Sequence, residues 1–255
     1  MLAETTYTRF AQFYDAYVGN YARDLPLYLA LAARAQAPIL EIGCGSGRVL
    51  LPLLRAGHPV TGVDISGEML RLAEEKLNKN SLRERGTLLN HDFVDQALTR
   101  TYGLGLVTFY TFNYLLSPEQ QKAFLDHVAE TLLPGSAIVL HLFYPNPLLH
   151  PDTAGKWIEK GPYRVAGETI FLQDLRRMSN PHLEERIQAF VFESGHREEI
   201  STFRRYVTQA DIYRLLLDSG FETTVLIDDF DLLKQTPLIP EAVTTKEFVV
   251  MAQKP

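Results

Sequence analysis

Apolar residues along this chain keep three different periods in turn. Near the start, Phe10, Phe13, Tyr14 and Tyr17 recur every three or four residues, which places them on one helical face. A second helix is expected with Asp24 as its cap, Pro26 in its first turn, and Leu27, Leu29, Leu31 and Ala32 behind it. Short, nearly continuous apolar runs then begin at 38–42, 60–63, 87–90, 104–110 and 137–144. Helical periods separate them: Val49, Leu50, Leu53 and Leu54 with Gly57 as a stop, then Met69, Leu70, Ala73 and Leu77 behind a Ser66 cap. Ser117-Pro118-Glu119-Gln120 reads as a capping box with proline at the first helical position. Strands apolar on both faces, alternating with helices, argue for a parallel sheet covered on both sides.

After Pro145-Asn146-Pro147 the period becomes two. Leu183, Glu185, Ile187, Ala189 and Val191 share one side, and Arg186, Gln188, Phe190 and Phe192 the other. Turn signals at Ser179-Asn180-Pro181 and Ser194-Gly195 divide this region into three expected strands, a small antiparallel insertion over 151–206. The α/β pattern resumes with Thr208 capping a helix that ends at Ser219-Gly220. Strands at 221–227 and 247–252 follow, with no helical period between them, so they should pair antiparallel. One domain over 1–255 is expected: a helical lid at 1–36, a core of 37–150 and 207–255, and the insertion.

Composition narrows the class. At 255 residues and 46% apolar, the chain can bury a full core without staples. A single cysteine and no CxxC pair offer neither an intrachain disulfide nor a zinc site, so no metal is expected. The net charge of −6 gives no footprint for non-specific nucleic-acid binding. The first ten residues lack the basic and apolar regions of a signal peptide, and no run reaches the roughly 20 apolar residues of a membrane span. A cytoplasmic protein with no membrane partner is the expectation.

The chemistry starts where the first strand meets the first core helix. Gly43-Cys44-Gly45-Ser46-Gly47, preceded by acidic Glu41, is a glycine-rich turn of the kind that binds a nucleotide in an open α/β sheet. Asp64 ends the second strand 21 residues after Gly43, placed to accept ribose hydroxyls. The GxGxG spacing departs from the GxGxxG of dinucleotide-binding folds. His91-Asp92-Phe93 after the third strand adds a carboxylate and a ring at the same sheet edge.

Together these segments resemble the class I S-adenosylmethionine-dependent methyltransferases. Residues 39–48 look like their motif I, and Val60-Thr61-Gly62-Val63-Asp64-Ile65-Ser66 with Met69 like motif II. His91-Asp92-Phe93 is similar to the third motif, and Leu132-Leu133-Pro134-Gly135 to the turn before the fifth strand. The resemblance implies a seven-stranded, mostly parallel sheet in the order 3-2-1-4-5-7-6, its last strand antiparallel. It also implies S-adenosylmethionine as cofactor, with the loop of Gly43, Cys44 and Gly45 near its methionine part and Asp64 on the ribose. Ile65 and Met69 would lie against the adenine, Asp92 would take the adenine amino group, and Phe93 would face the ring. The N-terminal aromatic face with Tyr14, Tyr17 and Tyr21 would either cover the cofactor, as such helices do in relatives, or serve hydrophobic packing alone.

In this family the segment after the fourth strand flanks the methyl group. Here it reads Thr108-Phe109-Tyr110-Thr111-Phe112-Asn113-Tyr114, with no Asn/Asp-Pro-Pro-aromatic clamp for a base amine and no aspartate for a hard cation. Phe109 is a candidate cofactor contact, and Asn113 either a substrate contact or a loop tie. His141 and Tyr144 are candidates for the catalytic base, His141 equally readable as a buried, hydrogen-bonded histidine. Arg204, Arg205 and Tyr206 either meet an anionic substrate group or are solvated. The expected acceptor is an amine or hydroxyl of a small molecule, with resemblance to glycine and amino-sugar N-methyltransferases favouring the amine. An RNA or protein methyltransferase, and an NAD(P)-binding oxidoreductase, are the alternatives.

Overall fold

The computed structural model describes residues 11, 13–18, 21–143, 154–165, 167–239 and 247–255. Its core is a sheet built outward from β1 (Ile39–Ile42), which pairs in parallel with β2 (Val60–Asp64) and β4 (Tyr102–Val107). β3 (Gly86–Asn90) extends it beyond β2, and β5 (Leu132–Leu142) beyond β4. Four helices belong to this core: α1 (Leu25–Ala32), α2 (Leu50–Arg55), α3 (Gly67–Lys79) and α4 (Pro118–Thr131).

The next strands, β6 (Ile158–Val165), β7 (Glu168–Asn180), β8 (Leu183–Phe192) and β9 (Arg197–Arg205), form a separate antiparallel sheet in sequence order. After α5 (Gln209–Asp218), strands β10 (Glu222–Ile227), β11 (Gln235–Pro237) and β12 (Phe248–Gln253) return to the first sheet. The complete order is β3-β2-β1-β4-β5-β12-β10-β11, with β12 antiparallel to both neighbours.

The expected 3-2-1-4-5-7-6 order is present, with one addition. β11 is an eighth strand on the edge beyond β10, in the segment between the last two expected strands. Pro237 is tolerated there because an edge strand can spare one N–H. The insertion holds four strands rather than three. β6 lacks strict alternation because Gly161 breaks its register against β7.

Alternate residues of β1 point to opposite cores. Leu40 and Ile42 pack with Phe124, Val128, Ile212 and Leu216 of α4 and α5. Ile39 packs on the other face with Leu50, Leu53, Leu54 and Tyr28 of α2 and α1. Each of these leucines, fully buried, stabilises the fold by roughly 1.5–3 kcal/mol.

Three helix starts follow the sequence signals. Ser66 accepts from Met69 N, Ser117 and Gln120 form a capping box, and Thr208 and Asp211 form another. Asp24 does not cap α1. Its carboxylate is buried and bound bidentately by Arg48 at 2.7 and 2.8 Å, a stronger use of a buried charge than a cap.

The N-terminal helical segment 13–18 joins the two sheets. Phe13 stacks on Phe190 of β8 at 4.1 Å, in an apolar cluster that also takes Met69 of α3 and Ile170 and Leu172 of β7. Asp15 accepts from Ser46 Oγ at 2.6 Å and meets Lys76 at 2.6 Å, anchoring the segment to the glycine turn.

Candidate functional site

The carboxyl ends of β1, β2 and β4 open into a cavity of about 750 Å³ whose far wall is the antiparallel sheet. The glycine turn forms its floor. Gly43 N and Cys44 N both donate to Val63 O, at 2.8 and 2.9 Å, so the turn folds back over β2. Gly43 has φ +72°, and a Cβ there would lie 2.4 Å from Thr111 Oγ1. Only glycine fits that position.

Asp64 braces this turn. One carboxylate oxygen accepts from Gly45 N at 2.8 Å and the other from Ser66 N at 2.9 Å. Burial pushes its pKa upward, partly offset by these backbone bonds. Each oxygen keeps a second lone pair for a ligand hydroxyl. Ile65 and Met69 stand beside it in the cavity wall.

Asp92 also faces the cavity while one of its oxygens accepts from Val94 N at 2.8 Å. Phe93 reaches the wall from a core position, its ring against His91 and Phe124 and its carbonyl bonded by His127 at 2.8 Å.

Glu41 is buried at the floor. Thr108 donates to one oxygen at 3.3 Å, and the other, Oε2, has no hydrogen-bond partner. Burial raises this carboxyl to about 8, against a partial opposing pull from Arg48. Tyr14 lines the cavity, and burial raises its phenol far above the usual range. Burial does the same to the Cys44 thiol, which makes it inert as a nucleophile at neutral pH.

Phe109 and Tyr110 follow β4 with φ of +47° and +70°. Two consecutive left-handed aromatic residues are costly, about 1–3 kcal/mol each, and such strain gathers at functional sites. The surroundings hold them in place. Tyr110 N donates to His141 O at 3.1 Å, and its hydroxyl donates to Glu247. Phe109 packs against the Arg48 guanidinium at 4.8 Å.

The candidate bases are elsewhere. His141 is fully buried in β5 behind Tyr110 and is not part of the cavity wall. Its Nε2 lies 3.3 Å from Glu247 and its Nδ1 3.5 Å from the Tyr28 hydroxyl, so it is a packed, hydrogen-bonded histidine. Asn113 is likewise buried outside the wall. Its amide donates to Phe143 O and Arg205 O and accepts from Phe143 N, tying the turn after β4 to β5 and β9. Tyr144 lies outside the described residues. Tyr21 sits behind the wall, its ring on Phe109 and Arg48 and its hydroxyl buried without a partner. Among the described residues no group of three metal-ligating side chains comes together.

Residues 39–135 match the family model described as a methyltransferase domain. The glycine turn, Asp64 and Asp92 thus lie in a segment similar to methyltransferase domains. A putative methyltransferase of Geobacillus sp. strain WCH70 is 25% identical over 228 residues, 85% of each chain. A dTDP-3-amino-3,4,6-trideoxy-alpha-D-glucopyranose N,N-dimethyltransferase from Streptomyces venezuelae is 27% identical over 133 residues, 52% of each. The CcbJ methyltransferase from Streptomyces caelestis shares the fold at 21% identity, with a TM-score of 0.77 over 98% of both chains. No described helix is long and apolar enough to cross a membrane.

Much of the far wall of this cavity was not legible in the sequence. Tyr110, Gln188, Arg176 and Arg186 line the cavity, and so does Arg204, whereas its neighbours Arg205 and Tyr206 do not. The alternation on β8 had separated Arg186 and Gln188 from Leu183 and Ile187. It is the polar set that turns inward.

Proposed function

We propose that this protein transfers the methyl group of S-adenosylmethionine to an amine or hydroxyl of a small molecule, without a metal. The carrying observation is one cavity with two unlike walls. Its floor has the glycine turn, Asp64, Asp92 and an unpartnered Glu41 oxygen, and its roof is an antiparallel sheet. About 750 Å³ lies within the usual 300–1,000 Å³ of small-molecule sites, which suits a small acceptor better than a polymer.

The floor residues fit the cofactor. Asp64 has lone pairs to spare for the ribose hydroxyls and Asp92 for the adenine amino group, and the buried Glu41 carboxyl has an oxygen, Oε2, without a partner. Ile65, Met69 and Phe93 supply apolar surface for the base, and the turn at Gly43 and Gly45, where a Cβ at Gly45 would meet nothing nearer than Tyr14 at 4.0 Å, would take the methionine part.

Bound S-adenosylmethionine supplies an electrophilic methyl on a sulfonium, which needs no Lewis acid. What the chain must do is hold the acceptor in line and keep water out, and such positioning alone is worth several orders of magnitude. Phe109 and Tyr110, fixed in their strained turn, Tyr14 and the antiparallel sheet form that enclosure. His141 and Asn113 act by holding this turn rather than by moving a proton at the substrate.

The amino-sugar N,N-dimethyltransferase among its relatives favours an amine acceptor. The test is transfer of labelled methyl from S-adenosylmethionine to a panel of small amines and alcohols, with and without a chelator. Chelator-resistant labelling of amines is the expected result. Labelling confined to RNA or protein, or abolished by the chelator, would contradict the proposal.

A further inference from the structure

The roof of the cavity is charged. Register on β7, β8 and β9 sets Asp174 opposite Gln188, Arg176 opposite Arg186, and Glu184 opposite Arg204, all on one side of the sheet. Like charges directly across a ladder repel. Two carboxylates hold this set together. Asp174 accepts from Arg186 Nε at 2.7 Å and from Arg176 Nε at 3.0 Å, and Glu184 accepts from Arg204 Nη2 at 2.7 Å. Three guanidiniums therefore share two carboxylates, and one positive charge is left over. Arg186 and Arg204 are only 7% and 4% exposed, so water does little to neutralise that charge.

Unused donors lie beside the surplus charge. Arg204 Nε and Gln188 Nε2 are buried without hydrogen-bond partners, and both residues line the cavity. Lys160 of β6 adds a second cation on the same wall. Glu184 Oε2 also lacks a partner, but Glu184 is fully buried and outside the wall. The opposite floor carries the carboxylates of Asp64 and Asp92 beside the Glu41 carboxyl, and Arg48 is occupied by Asp24. The cavity is thus acidic at the proposed cofactor floor and basic at its roof.

We propose that Arg204 and Gln188, backed by Arg176 and Arg186, bind an oxyanion on the methyl acceptor, so that the substrate is an amine or alcohol bearing a carboxylate or a phosphate ester. The inference rests on the methyltransferase reading of the same cavity. An oxyanion would take up both free donors and cancel the surplus charge, and charge-assisted bonds of this type are the strong ones. It would also hold the acceptor from the side away from the cofactor floor, leaving the nucleophile toward the methyl group.

The test uses the full chain saturated with S-adenosylhomocysteine. Inorganic phosphate, pyrophosphate and succinate are titrated calorimetrically at constant ionic strength, with chloride as the control anion. Saturable binding in one arm is expected, and the arm that responds distinguishes phosphate from carboxylate. Gln188→Leu should weaken it at least tenfold while S-adenosylhomocysteine affinity stays within twofold. Arg204→Met should do the same. Because that variant leaves buried Glu184 with only Arg176 at 3.7 Å, it can impair folding, and the Gln188 variant decides if it does. No anion binding beyond chloride, or full binding in Gln188→Leu, would overturn the proposal. Failure to bind S-adenosylhomocysteine in the first step would instead remove the methyltransferase reading, and is scored separately.

Discussion

Asp64 accepts the Gly45 N–H at 2.8 Å, so the acidic end of the second strand and the middle of the glycine turn are one hydrogen-bonded unit. The same carboxylate holds Ser66 N at the start of α3. Asp64→Ala is therefore expected to act twice. Hydrogen bonds to a charged group contribute about 1.5–3 kcal/mol, so S-adenosylhomocysteine affinity should fall by roughly ten- to a hundredfold. Thermal stability should fall as well. Asp64→Asn keeps one acceptor oxygen but sets an amide NH2 against the other backbone N–H, so it should recover only part of the stability and less of the affinity, as calorimetry and a melting curve would show.

Gly43 and Thr111 form a second tight pair. Gly43→Ala places a Cβ at 2.4 Å from two Thr111 side-chain atoms in a backbone conformation with φ +72°. The left-handed conformation alone costs an L-residue about 1–2 kcal/mol, and the clash adds to it. Denaturant unfolding should show a clear loss for Gly43→Ala and partial recovery in Gly43→Ala/Thr111→Ala. Absence of any recovery would mean that backbone strain, not the Thr111 contact, dominates.

Glu41 gives a pH signature. Its ordinary value is 4.5, and burial raises it to about 8 in the fold. Between those values the folded chain keeps a proton that the unfolded chain has released. Its contribution to stability is therefore complete below about 4.5 and is lost as pH rises toward 8. Stability of the cofactor-free protein should decline over that window, and Glu41→Gln should flatten the decline. An unchanged slope in the variant would assign the pH dependence to other groups.

His141 and Glu247 test whether the buried histidine is structural. Glu247 is held below the usual carboxylate range by its hydrogen bond to His141, with burial opposing. It therefore contributes stability above that range, lost as pH falls. Glu247→Gln should remove that acid-side loss and loosen Tyr110, its other partner. His141→Gln should lower stability by about 1–3 kcal/mol through its lost buried contacts. The shape of the kcat pH profile should persist. A general base would instead show a loss of about 10²–10⁴ in kcat and a vanished acid limb.

The alternation of strands and helices was readable because buried parallel strands and crossover helices leave a strong period, whereas the sheet order followed only from the family resemblance that Gly43, Asp64 and Asp92 carry. Three features were not. Asp24 looks like a cap in isolation, and only the fold brings Arg48 to it. His141 in a strand resembles a base until Tyr110 is seen in front of it. Alternation on β8 separates two faces but does not say which one turns inward. The polar face of Arg186 and Gln188 does so here because the cavity, rather than a core, lies beneath it. A run of Arg and Gln at every second position, opposite Asp and Arg on the next strand, is the signal that could have pointed to this.

The central claim is that the floor of this cavity binds S-adenosylmethionine. Calorimetric titration of the wild-type protein with S-adenosylhomocysteine tests it most directly. One site per chain is expected, strongly weakened by Asp64→Ala and not competed by NADH. A folded protein that gives no saturable heat, or binds NADH at the same site, would contradict the account.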